Sequence, residues 1–308
     1  NSHNNGVYAV NGNASVSNAT VTMNSGEYNN GVYAPSGNVS VTSSSTITLN
    51  NNSYSNGVHA PSGNTTVDGT SGHVTIHVGT IGNTSNHSNG INLTNNSATN
   101  NNIQYTTVNM VGNNNIGVRI AEPGTITFQH NNMNMNGNGN YGLYLAPGKS
   151  ITSILGNSTS SSGSSNVGIF ISEGAEIPTI SGGSHTVNGT TSTGIDIHTL
   201  KNTTISGTTF NVNNYSSTGI RAGRTDANNA STPLLKIENS TFNVLTSTPL
   251  SNNGNTTDSN SSAAVYLYNV TKTQVDPGTS RTTFNIGRNS IGFEIENSGY
   301  NDREIKFN

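Results

Sequence analysis

The chain has 308 residues, enough for one elongated domain or two compact ones, and carries 14 acidic residues against 11 Lys and Arg, a net charge of -3. Asn (55), Thr (42), Ser (41) and Gly (35) fill 173 positions, while charged residues reach only 8%. No basic block supports nucleic-acid binding, no apolar run approaches the roughly 20 residues of a membrane-spanning helix, and the absence of Cys excludes disulfides, thiolate zinc sites and thiol nucleophiles.

The predicted elements begin at once and repeat. NNGVYAVNGNASVSNATVTMN is followed by NNGVYAPSGNVSVTSSSTITLN and SNGVHAPSGNTTVDGTSGHVTIHV, and weaker copies run on through IGVRIAEPGTITF, YGLYLAPGKSI, VGIFISEGAEI, TGIDI, TGIRA and IGFEI. Gly6, Gly31, Gly57, Gly90, Gly117, Gly142, Gly168, Gly194, Gly219 and Gly292 anchor the copies, with Ala264 taking the place between the last two. The period of about 26 residues, met about eleven times, is that of a solenoid.

Within one copy the apolar residues alternate, the period of a strand. In the second copy, Val32 and Ala34 point opposite to Tyr33; Val39 with Val41, and Ile47 with Leu49, predict two further strands. The expected fold is therefore all-β: a right-handed, single-stranded parallel β-helix with three strands per coil and about eleven coils, forming one domain over 1–308. The inward columns run from Val7 to Phe293 and from Ala9 to Ile295, with Pro-Gly and Pro-Ser-Gly turns and with Asn and Gly at left-handed corners. Stacked Asn side chains at those corners are expected to form hydrogen-bonded ladders.

Between the inward columns lies an outward row that includes Tyr8, Tyr33, His59, Arg119, Tyr144, Phe170, Arg221 and Tyr266. Aromatic rings on a flat sheet can stack on sugars or anchor a protein partner, although β-propensity also accounts for them. The spacing from Gly219 to Ala264 is 45 residues and predicts loop insertions at 223–233 and 246–263, which read either as recognition loops or as tolerated insertions. Asp226, Asn229, Asn252, Asn253 and Asp258 are their candidate contacts.

Catalysis finds little support. Asp196 and Arg221 are expected as neighbours with Glu294 farther along the row, which reads as a surface pair. No Gly-x-Ser-x-Gly context is present, and His73 and His77 are too far apart along a strand to share one metal ion. His185 is read as inward; His3, His59, His87, His130 and His198 are read as surface or corner residues. The expectation is a non-enzyme without metal or cofactor. The 18 Asn-x-Ser/Thr sequons are close to the number composition alone produces.

Motifs such as NGVYAPSGNVSV and GVHAPSGNTTV resemble the secreted passenger region of bacterial autotransporters. That resemblance implies a secreted or cell-surface adhesin or virulence factor and, in the full-length protein, an outer-membrane β-barrel translocator. Its partner would be a host-cell surface protein or glycan, or sister bacteria through self-association. Two alternatives stay open: a released fragment acting as a toxin or signal on a host receptor, and a polysaccharide lyase or hydrolase. The start at Asn1 and the stop within REIKFN, both without a polar cap, lead us to expect either a piece of a longer protein or a cap in the last irregular coil.

Overall fold

The computed structural model describes residues 3–95, 98–122, 124–223, 234–245, 261–270, 272–276, 281–288, 290–296 and 304–307. Their strands form three parallel sheets of eleven, eleven and ten strands, each coil contributing one strand to each sheet in turn. In the second copy these are Asn30–Tyr33, Val39–Thr42 and Thr46–Ser53. The architecture is the parallel β-helix read from the periodicity. Strands Leu234–Glu238 and Thr241–Val244 keep the register of their neighbours, so the coil between the two predicted insertions is intact. Of those insertions, Gly223 closes the strand Thr218–Gly223 and Ser262 opens Ser262–Tyr268; 224–233 and 246–260 lie outside the described residues.

Each coil buries about six side chains in one continuous core. Along the third sheet one inward column passes from Ile47 and Ile76 through Val108 and Met133 to Thr159 and His185, then to Phe210, Phe242 and Phe284. The rings of Phe210, Phe242 and Phe284 stack at centroid separations of 4.7 and 4.8 Å, the rung spacing of the sheet itself. His185 points inward as expected, but it is only half satisfied. Its Nδ1 is 2.8 Å from Thr159 Oγ1, its Nε2 has no hydrogen-bond partner, and burial lowers its pKa to about 4.

Two sequence expectations need correction. The inward columns run out in the last coil: Phe293 is only partly buried and Ile295 is exposed, because the strand Ser290–Glu296 is paired on one side only. The anchor glycines do not serve left-handed corners either. A Cβ on Gly31 would stand 2.6 Å from both the Gly57 carbonyl oxygen and Ile47 Cγ2, and one on Gly142 would stand 2.4 Å from the Gly168 oxygen. Close approach of successive coils selects glycine there. Conversely, the left-handed corner just before each anchor is held mostly by other residues, such as Tyr28 (φ 58°), Tyr54 (54°), Asn114 (56°) and Thr191 (52°).

These corners are secured by a buried polar ladder. The backbone N–H of Asn4 donates to Asn29 Oδ1, that of Asn29 to Ser55 Oγ, and the pattern continues coil by coil through Asn115, Asn140 and Asn166 to Ser262, nine bonds of 2.8–3.3 Å. Every rung satisfies a backbone donor that the bend takes out of the sheet.

Candidate ligand-binding face

At each anchor the glycine and the next residue are both buried, so the outward positions are three residues apart: Asn30 and Tyr33 in one coil, Asn56 and His59 in the next. The ladder register places all eight sequence-predicted residues of the first sheet on one row. Tyr8 stacks on Tyr33 at 5.7 Å with the planes 7° apart, and Tyr33 on His59 at 5.5 Å. The rings therefore turn their faces to one another. What they offer to solvent is edge and hydroxyl, not the open face that sugar stacking requires.

A second aromatic ladder, which sequence reading missed, runs along the neighbouring corner. His3, Tyr28, Tyr54 and His87 stack at 5.4, 5.6 and 5.3 Å. The signal was present, since each of these residues stands three positions before an anchor glycine, but a corner is not where strand alternation looks for a ring. Between the two ladders runs a row of amides. Nδ2 of Asn30, Asn56 and Asn89 each donates to the Oδ1 of the preceding coil, that of Asn5, Asn30 and Asn56 respectively, at 2.9–3.1 Å. Each amide keeps one further N–H and one lone pair. Asn is shorter than Tyr, so the first four coils present an amide floor between two ring-edged walls.

That face is nearly free of charge. Residues 1–118 contain only Glu27 and Asp68 as charged side chains, with no Lys or Arg. Burial and then the nearby Arg119 lower the pKa of His59 to about 4, so it is neutral near pH 7, and its Nε2 is 3.1 Å from Thr94 Oγ1. Tyr8 and Tyr54 are each 50% exposed, a large apolar area left in water.

Farther along the row the character changes. Arg119 Nη1 donates to Asn92 Oδ1 at 3.2 Å, Tyr144 stacks on Phe170 at 5.3 Å, and His198 meets Phe170 edge-on at 4.6 Å. Arg221 then grips Asp196 through two parallel bonds, Nε to Oδ1 at 2.9 Å and Nη2 to Oδ2 at 2.5 Å. Asp196 is buried although it points outward, because Arg221 lies over it. Tyr266 donates its hydroxyl to Glu296, and burial followed by that bond raises its pKa to about 12. The hydrolytic arrangement of two carboxylates roughly 5–10 Å apart is not met by Asp196 and Glu294, which stand three rungs, about 14 Å, apart.

The candidate loop residues Asp226, Asn229, Asn252, Asn253 and Asp258 lie outside the described residues. His77 points outward from its strand, and His73 is hydrogen-bonded to Thr107. His130 stacks on Tyr105 at 4.9 Å. Among the described residues no three His, Cys, Asp or Glu side chains are grouped to hold a metal ion, and no helix is long and apolar enough to cross a membrane. A scan of protein-family models, a search of curated proteins and a search of solved structures each return no match for this chain.

Proposed function

We propose that this chain is the binding rod of a bacterial surface or secreted adhesin, of the autotransporter-passenger kind its repeats resemble, and that it grips its ligand with the first four coils. One observation carries the reading: half-exposed tyrosines are gathered into two ladders flanking a row of amides, on a stretch with almost no charge. Exposed rings scattered singly need no explanation, whereas a contiguous aromatic strip is the surface on which binding energy concentrates. The amide floor supplies hydrogen bonds, and the lack of charge favours an uncharged ligand, either a neutral glycan or a neutral protein surface on a host or sister cell.

The ladders also lower the cost of binding. A ring held between two others has little rotamer freedom left to lose, so the surface is ordered before the ligand arrives. The test is binding of the labelled chain to host cells and to bacteria, comparing the parent with Tyr33→Ala and Tyr54→Ala. At least a tenfold loss of cell binding, with unchanged circular dichroism, is expected for the double variant. Binding equal to the parent would remove the first four coils from consideration and shift attention to the row from Tyr144 to Tyr266.

A further inference from the structure

The third sheet faces away from the ladders, and its outward side is of another kind. Its ten strands each place two side chains outward, two residues apart, and nineteen of these twenty are Thr, Ser or Asn; His77 is the exception. The registers Thr20↔Thr46, Thr107↔Asn132, Thr209↔Thr241 and Asn211↔Asn243 show that the two positions form straight rows along the rod. Apart from Glu27 at the end of its strand, the ten strands contain no Asp, Glu, Lys or Arg. The result is a two-dimensional lattice of uncharged donors and acceptors, about 4.8 Å between rungs, about 6.6 Å between rows and about 43 Å long.

The lattice is held rigid. Asn134 Nδ2 donates to Asn109 Oδ1 at 2.8 Å, and Asn285 and Asn243 each donate to the Asn of the preceding coil at 2.7 and 2.8 Å. The β-branched threonines are restricted at χ1. Each amide or hydroxyl nevertheless keeps hydrogen-bonding capacity beyond one such bond.

We propose that this face is a docking surface for the ordered hydroxyl lattice of a crystalline, uncharged polysaccharide. A typical protein surface is a poor partner, because its charged side chains would lose water against a face that offers no counter-charge. A free oligosaccharide is poor as well, since it must surrender its own chain freedom for hydrogen bonds of small net value. A crystalline polymer has already lost that freedom. It presents only groups that both donate and accept, and it meets the rod at many equivalent positions, so ten weak rungs act together.

The experiment incubates the chain with microcrystalline cellulose and with chitin and measures what remains in solution. Soluble oligosaccharides of the same linkages serve as competitors. Depletion by at least one polymer, not reversed by the oligosaccharides, is expected. The variant carrying Ser160→Lys, Thr186→Lys and Asn211→Lys should partition at least tenfold less. Ser40→Lys with Ser206→Lys, two outward positions of the second sheet, should partition as the parent does. Thr186→Val with Thr209→Val, which removes hydroxyls but keeps shape, guards against a folding artefact and should also weaken retention.

No depletion by either polymer overturns the proposal, as does equal depletion of parent and triple-lysine variant. Release by soluble oligosaccharide would mean an ordinary sugar site and overturns the lattice. Exclusive uptake into growing ice, or lysine-sensitive dimers in sedimentation without polymer retention, would reassign the face to water's own lattice or to a second copy.

Discussion

Arg221 and Asp196 are 25 residues apart in sequence and adjacent rungs in space, joined by two parallel hydrogen bonds that close a carboxylate almost completely away from solvent. A buried carboxylate is tolerated only while it is paired. Arg221→Ala should therefore destabilise the rod by about 2–3 kcal/mol, at or below the low end of the range for a broken buried pair because the guanidinium itself is half exposed. Arg221→Lys keeps the charge but not the fork and should cost less. Urea midpoints of the two variants check the order; equal midpoints for Ala and Lys would count against it.

His185 makes a second prediction. Its folded pKa of about 4 lies below the ordinary 6.5, so between those values the folded chain binds fewer protons than the unfolded chain. Stability is complete above the upper value, falls as pH drops through the window, and is lower by about 3 kcal/mol once pH is below the folded value. His59 contributes in the same direction. His185→Phe would continue the phenylalanine stack, remove the unpaired Nε2, and raise stability at pH 7 while flattening the pH dependence. Urea titrations of parent and variant at pH 7 and pH 4.5 measure both effects.

Anchor and loop glycines should answer differently to the same substitution. At Gly142 the new Cβ meets a carbonyl oxygen at 2.4 Å, whereas at Gly12 nothing lies within 4 Å and the backbone is not left-handed. Gly142→Ala should cost about 2 kcal/mol or more through overpacking. Gly12→Ala should change stability by less than about 0.5 kcal/mol or raise it slightly, by restricting the unfolded chain. Thermal unfolding separates them.

Asn140 tests the corner ladder. Its Oδ1 accepts from the Asn115 N–H at 2.8 Å and its Nδ2 donates to the Gly112 carbonyl at 3.0 Å, all three groups being deep in the corner. Asn140→Ala breaks both bonds and should cost about 3 kcal/mol. Asn140→Ser should recover part of that, since Ser55, Ser88 and Ser192 fill the same column. Hydrogen exchange at the Asn115 amide, faster in the Ala variant than in the Ser variant, is the direct readout.

The sequence by itself determined the architecture, because a solenoid is specified by repetition. Val32, Val39 and Ile47 alternate with polar residues within one coil, and their counterparts recur one period later, so strands, inward columns and stacking follow without any knowledge of distant contacts. The outward row from Tyr8 to Tyr266 was legible for the same reason. Only the tertiary structure decided what those side chains do. Ring orientation depends on the neighbour above and below, which is why Tyr33 shows its edge and not its face, and why Tyr28 and Tyr54, at corners outside the strand alternation, form a ladder at all. The same holds for the glycines. Composition suggests that they permit unusual backbone angles, yet at Gly31 and Gly142 the requirement is the nearness of the next coil's carbonyl, a distance set by stacking.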